Sequence, residues 1–66
     1  MKHKENYNGH QIAAETVKRE KGYVANYQID GGEIRASRDP LKIEEYALFW
    51  AITDAKAEID RMASKK

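Results

Sequence analysis

Two histidines, two serines and eleven carboxylates are the side chains of this 66-residue sequence best suited to moving a proton, attacking a carbonyl or holding a metal. Nucleophilic catalysis needs a Ser or Cys held by a base that a third group orients. There is no cysteine, Ser37 has no histidine near it in sequence, and His10 stands at the start of a predicted strand. His3 and His10 could supply half of a metal site, but in a polar N-terminal stretch they read as solvated side chains. Gly31-Gly32 falls between two predicted strands and does not open a helix, as a phosphate-binding loop must. Asp54, Glu58 and Asp60 fall on the outer surface of a predicted helix, where charges serve solubility, with Glu58 to Arg61 and Lys56 to Asp60 as local pairs. The inventory predicts a non-catalytic chain with no cofactor, no metal and no small-molecule substrate.

Two other groups of residues could bind a macromolecule. The first lies in "EEYALFWAI", Glu44 to Ile52, where apolar side chains run almost all the way round a helix. At 100° per residue, Leu41, Leu48, Ile52, Ala55, Ile59 and Met62 share one stripe, with Ala51 beside it, and this is the face expected to meet a sheet. Ile43, Tyr46, Trp50, Thr53 and Ala57 share a second stripe nearly opposite, with Phe49 on its flank. One layer of sheet cannot cover both, and aromatic residues on an exposed patch are the usual chemistry of an interface core. Ile43, Tyr46, Phe49 and Trp50 are therefore the expected interface, with a symmetric homodimer as the commonest arrangement. The second group is basic: Lys18, Arg19, Lys21, Arg35 and Arg38 are candidate nucleic-acid contacts. A three-stranded sheet with a C-terminal helix is also part of the double-stranded RNA-binding fold, although "DPLKIEE" at the helix start would repel phosphate.

The elements that must position these residues follow from periodicity. "HQIAAETVKR", Gly22 to Asp30 and Glu33 to Ser37 read as three strands, with β-branched and aromatic residues recurring at period two between glycines. "IDGGEI" predicts a tight hairpin. A Gly31-Gly32 loop would set Tyr27 opposite Ala36, and an Asp30-Gly31 loop would set Tyr27 opposite Ile34. Either gives one apolar face of Tyr23, Ala25, Tyr27, Ile29, Ile34 and Ala36, whereas a three-residue loop would mix the faces and is rejected. In the first strand Ile12, Ala14 and Thr16 are expected inward, with Val17 on the other parity accommodated by a bulge. Asp39 and Pro40 predict a helix start, with Glu44 and Glu45 near its positive end. From Pro40 to Ser64 such a helix would be roughly 37 Å long and would overhang strands of roughly 20–26 Å.

Tyr7, Gly9 and Ile12 fit the strand opening Tyr-x-Gly-x-x-Ile of a family of small bacterial domains. "KGYVA" at Lys21 to Ala25, the glycine-bearing turn, and Glu44, Glu45, Ala47, Leu48 and Ala51 resemble the N-terminal domain of HicB-type antitoxins. The resemblance implies this fold and self-association. The proline-rich turn usual before the third strand in that family is absent here.

Composition sets the remaining bounds. Sixty-six residues suffice for one domain, 1–66, with an ordered part over about 7–64 and residues 1–6 as a loose lead-in. Without cysteine there is no disulfide, so helix packing or oligomerisation must supply the stability. The net charge of +1 gives no long-range pull towards nucleic acid or lipid. No run of about 20 apolar residues exists to span a membrane, and the N-terminus has no signal-peptide pattern, so a cytoplasmic location is expected. The sequence predicts an α+β domain, a three-stranded antiparallel sheet (β-β-β-α) packed on one long C-terminal helix. It predicts a protein-interaction role, with a homodimer or other protein partner, and a nucleic-acid-binding module as the alternative.

Overall fold

The computed structural model describes residues 1–36 and 40–64. It has an α+β architecture in which a four-stranded antiparallel sheet packs on one helix. The strands are β1 (Lys2–Tyr7), β2 (His10–Arg19), β3 (Gly22–Ile29) and β4 (Arg35–Ala36), in spatial order β1-β2-β3-β4, and the helix α1 spans Glu44–Ser64.

The expected lead-in is the first strand. Asn8 and Gly9 both hold positive φ, 50° and 81°, which is the type I′ geometry that matches strand twist in a two-residue hairpin. That turn sets Tyr7 opposite His10 and Lys2 opposite Glu15. β1 is a two-faced polar strand: His3, Glu5 and Tyr7 turn towards α1 and are half-buried, while Lys2, Lys4 and Asn6 are exposed.

β2 keeps the expected parity without a bulge. Ile12, Ala14 and Thr16 are buried, and Val17 pairs with Val24 on the opposite face. The turn after β3 has the Asp30-Gly31 form, with φ of 55° and 68° and the Gly32 N–H donating to the Ile29 carbonyl at 3.0 Å. One extra residue between Gly32 and Ile34 then shifts the ladder, so that Tyr27 faces Arg35 and Asn26 faces Ala36. This is the register that the sequence reasoning rejected. The slip is bulge-like, and it turns Ile34 and Ala36 out of the apolar face, leaving Ile34 64% exposed.

The chain returns to the sheet before it becomes helical. Leu41 and Tyr23 exchange backbone hydrogen bonds of 2.7 and 2.9 Å, which demands extended backbone at Leu41 and delays the helix to Glu44. The Ile43 carbonyl then accepts from the Tyr46 and Ala47 N–H groups, so Ile43 begins the helix in place of Asp39, which lies outside the described residues. At roughly 31 Å for 21 residues, α1 fits the sheet better than the predicted helix. Its start is tied to Met1 and Thr16, and Asp60 to Tyr7; only residues 61–64 run past this last anchor.

The core is made mostly of small residues. Ala47, Ala51, Ala55 and Ile59, four residues apart, are buried against Ile12, Ala14, Ala25 and Tyr27. Among the described residues only Ile12 and Ile59 are large side chains buried completely. Alanine on both layers lets the helix axis approach the sheet, which rotates the buried stripe away from the one expected. Leu48 and Ile52 pack at its margin, and Met62 is exposed.

Candidate interaction surface

Burying Ala47, Ala51 and Ala55 fixes the rotation of α1, and thereby what faces away. Tyr46 and Phe49 are 60% and 59% exposed, Ile43 46% and Trp50 38%. The four residues expected at an interface therefore sit together on the side of the helix start turned from the sheet. Phe49 and Trp50 meet edge to face, with ring centroids 5.5 Å apart and planes at 73°, an arrangement favoured by ring quadrupoles. Thr53 is only half-exposed and Ala57 is exposed. The outward stripe thus changes from bulky over residues 43–50 to small over residues 53–57.

Polar contacts hold the helix in this rotation on both flanks. On the β1 side, Lys56 Nζ lies 3.1 Å from Glu5 Oε2, and His3 Nε2 lies 2.7 Å from Glu5 Oε1. His3 and then Lys56 lower the Glu5 pKa by hydrogen bonding to its charged form. The Tyr7 hydroxyl donates to Asp60 at 2.9 Å, which raises the phenol's pKa, and Lys56 stands 5.4 Å above the Tyr7 ring. On the β3 side, the Tyr27 hydroxyl donates to Glu58 at 3.3 Å, and Arg35 Nε lies 3.5 Å from the same carboxylate. Burial, followed by the Glu58 charge, raises the Tyr27 pKa. At the helix start, Glu44 accepts from the Thr16 hydroxyl at 2.5 Å and from the Met1 ammonium at 3.2 Å, which together lower its pKa. Glu58 and Asp60, read as solubilising charges, are therefore also clamps between helix and sheet. Those to β1 could not be foreseen without recognising that strand.

The basic candidates divide. Lys18, Arg19 and Lys21 are exposed around the β2–β3 turn. Arg35 stands opposite Tyr27, four positions along β3 from Tyr23, the partner of Lys18, and pairs with Glu58 and Glu33. Arg38 lies outside the described residues. His3 lies near the start of β1 and His10 opens β2: His3 pairs with Glu5, and His10 Nδ1 lies 2.6 Å from Asp30. Among the described residues no group of three or more His, Cys, Asp or Glu could hold a metal ion. No described helix is long and apolar enough to cross a membrane.

The outer sheet face carries a shallow groove of about 200 Å³, lined by Lys2, Lys4, Ala13, Asn26, Gln28 and Ile34 among others. The bulge after Gly32 delivers Ile34 to this groove. Its lining also includes His3, Glu15 and the buried Tyr27. No family model, curated protein or solved structure matches this chain.

Proposed function

We propose that this protein is a small non-catalytic interaction domain that self-associates through the outer face of α1. One observation carries the reading: the interior is filled largely with alanine, while Ile43, Tyr46, Phe49 and Trp50, the larger apolar residues of the helix start, are exposed together on the opposite face. A thin core leaves a domain of this size short of stability, and covering this stripe would supply more.

The competing sheet edge is poorly suited to pairing. β1 carries Lys2 and Lys4, and β4 is two residues long, both of which discourage strand addition from outside. The alternative role, nucleic-acid binding, keeps Lys18, Arg19 and Lys21 as its exposed surface, and binding that weakens steeply with salt would identify it.

Light scattering after size exclusion, across a dilution series with Trp50 fluorescence recorded alongside, tests the proposal. The expected result is a dimer at high concentration whose tryptophan emission shifts to the red as it dissociates. A monomer at every concentration, with emission that does not change, would refute it.

A further inference from the structure

We infer that the second copy lies antiparallel on α1, so that Tyr46 of each protomer seats on Ala57 of the other and the two-fold axis passes beside Trp50 and Thr53; this rests on the self-association proposed above. The size gradient along the stripe points to this pairing. Tyr46, Phe49 and Trp50 occupy its first half, and Thr53 and Ala57 its second. A parallel pairing would crowd ring against ring at one end and leave facing voids at the other, whereas close-packed interfaces need bulk set against space. An antiparallel two-fold does this twice.

Area requires contact along the whole stripe. Taking ~150–250 Å² for a whole aromatic side chain, the exposed parts of Tyr46, Phe49, Trp50 and Ile43 amount to roughly 400 Å². A stable dimer buries about 800 Å² per partner. Contact through the aromatic half alone therefore falls short by about half. Overlap along the whole stripe from residue 43 to residue 57, about 21 Å of helix, brings the second half and its flanks into contact. The stripe points away from the sheet, so two helices can meet there with the sheets outermost. The resulting particle is four-layered, sheet-helix-helix-sheet, and carries one copy of the Lys2/Lys4 groove on each outer surface.

The absence of cysteine makes the geometry directly testable. With Tyr46 against Ala57, residue 53 lies close to its symmetry mate, within the roughly 4.4–6.8 Å Cα separation of a disulfide, while residues 46 and 57 stand about 16 Å from their own mates along the axis. Under mild oxidation Thr53→Cys should cross-link to itself. Tyr46→Cys and Ala57→Cys should each remain uncross-linked alone but cross-link when mixed. Self-cross-linking of both Tyr46→Cys and Ala57→Cys would establish a parallel dimer and overturn the inference while keeping self-association. A chain that is monomeric by light scattering would remove both.

A swap of bulk covers the case in which a cysteine variant fails to fold or weakens the dimer. Tyr46→Ala and Ala57→Tyr should each weaken dimerisation at least tenfold, and the double variant should recover most of that loss, with helix content by circular dichroism constant throughout. A double variant no tighter than the weaker single one would overturn the antiparallel arrangement.

Discussion

Tyr23 and Leu41 exchange both backbone hydrogen bonds directly over Gly22, where an added Cβ would come within 2.5 Å of the Leu41 carbonyl oxygen. Gly22 also holds φ at 140°, a region L-residues rarely adopt. Space and conformation thus demand glycine independently. Gly22→Ala should cost about 2–3 kcal/mol, lowering the thermal midpoint by more than 10 °C in a domain of this size. A midpoint within 2 °C of the parent, by circular dichroism, would show that the Leu41 segment moves aside at little cost.

Removal of residues 1–7 tests the structural status of β1. It would uncover the β2 edge and delete the Glu5–Lys56 and Tyr7–Asp60 clamps. The shortened chain should lose cooperative thermal unfolding or aggregate. Retention of the parent's melting curve would mean that the sheet is complete without its first strand.

Trp50→Glu should convert the dimer to a monomer at concentrations where the parent associates, since a charge buried at an interface without a partner is costly. The hairpins and the far-ultraviolet spectrum should persist, because Trp50 lies outside the buried alanine stripe. A mass unchanged by the substitution would locate self-association elsewhere on the molecule.

Stability should fall at both ends of the pH scale. Glu5, Asp30 and Glu44 have folded-state pKa values below their ordinary 4.5, 3.8 and 4.5. For Asp30 the Gln11 N–H is the leading cause and His10 the next. The unfolded chain therefore binds these protons more readily, and their stabilisation, complete above the ordinary values, is lost as pH drops through the lower folded ones. Tyr7 and Tyr27 are raised above 10.0, so their contribution holds below pH 10 and is lost at still higher pH. Urea midpoints from pH 3 to pH 11 should trace a plateau with two shoulders. A midpoint that stays level from pH 5 down to pH 3 would contradict the carboxylate contacts.

The sheet-plus-helix class, the parity of Ile12, Ala14 and Thr16, and the outward placing of Tyr46, Phe49 and Trp50 were legible from periodicity, since each depends on which side of one element a residue occupies. β1 was not, because "KHKENY" offers no apolar alternation; the signal lay next to it, in Asn8-Gly9. The β4 register escaped because one bulged residue after Gly32 reverses parity while leaving the turn sequence unchanged. The helix rotation was misjudged for an energetic reason. Periodicity assigns Leu, Ile and Met to the buried side, yet with Ala14 and Ala25 opposite, close approach by Ala47, Ala51 and Ala55 places the larger residues at the margin. The clamps joining Tyr7 to Asp60 and Glu5 to Lys56 link residues about fifty positions apart and leave no local trace.

The nearest-neighbour order β1-β2-β3-β4 bears on how the chain reaches its native state. The strand pairs are joined by short turns, and Ile12 opposite Ile29 closes only 17 positions, so the whole sheet can zip from Asn8-Gly9 and its sister turns on the microsecond scale of hairpin formation. The helix closes the long loops, out to Tyr7 and Asp60, and loop-closure entropy places that step after the sheet. During synthesis the meander leaves the ribosome first, with Ile12, Ala14 and Tyr27 uncovered until α1 follows. The lysines of the β1 edge would then protect a nascent chain as well as a finished one.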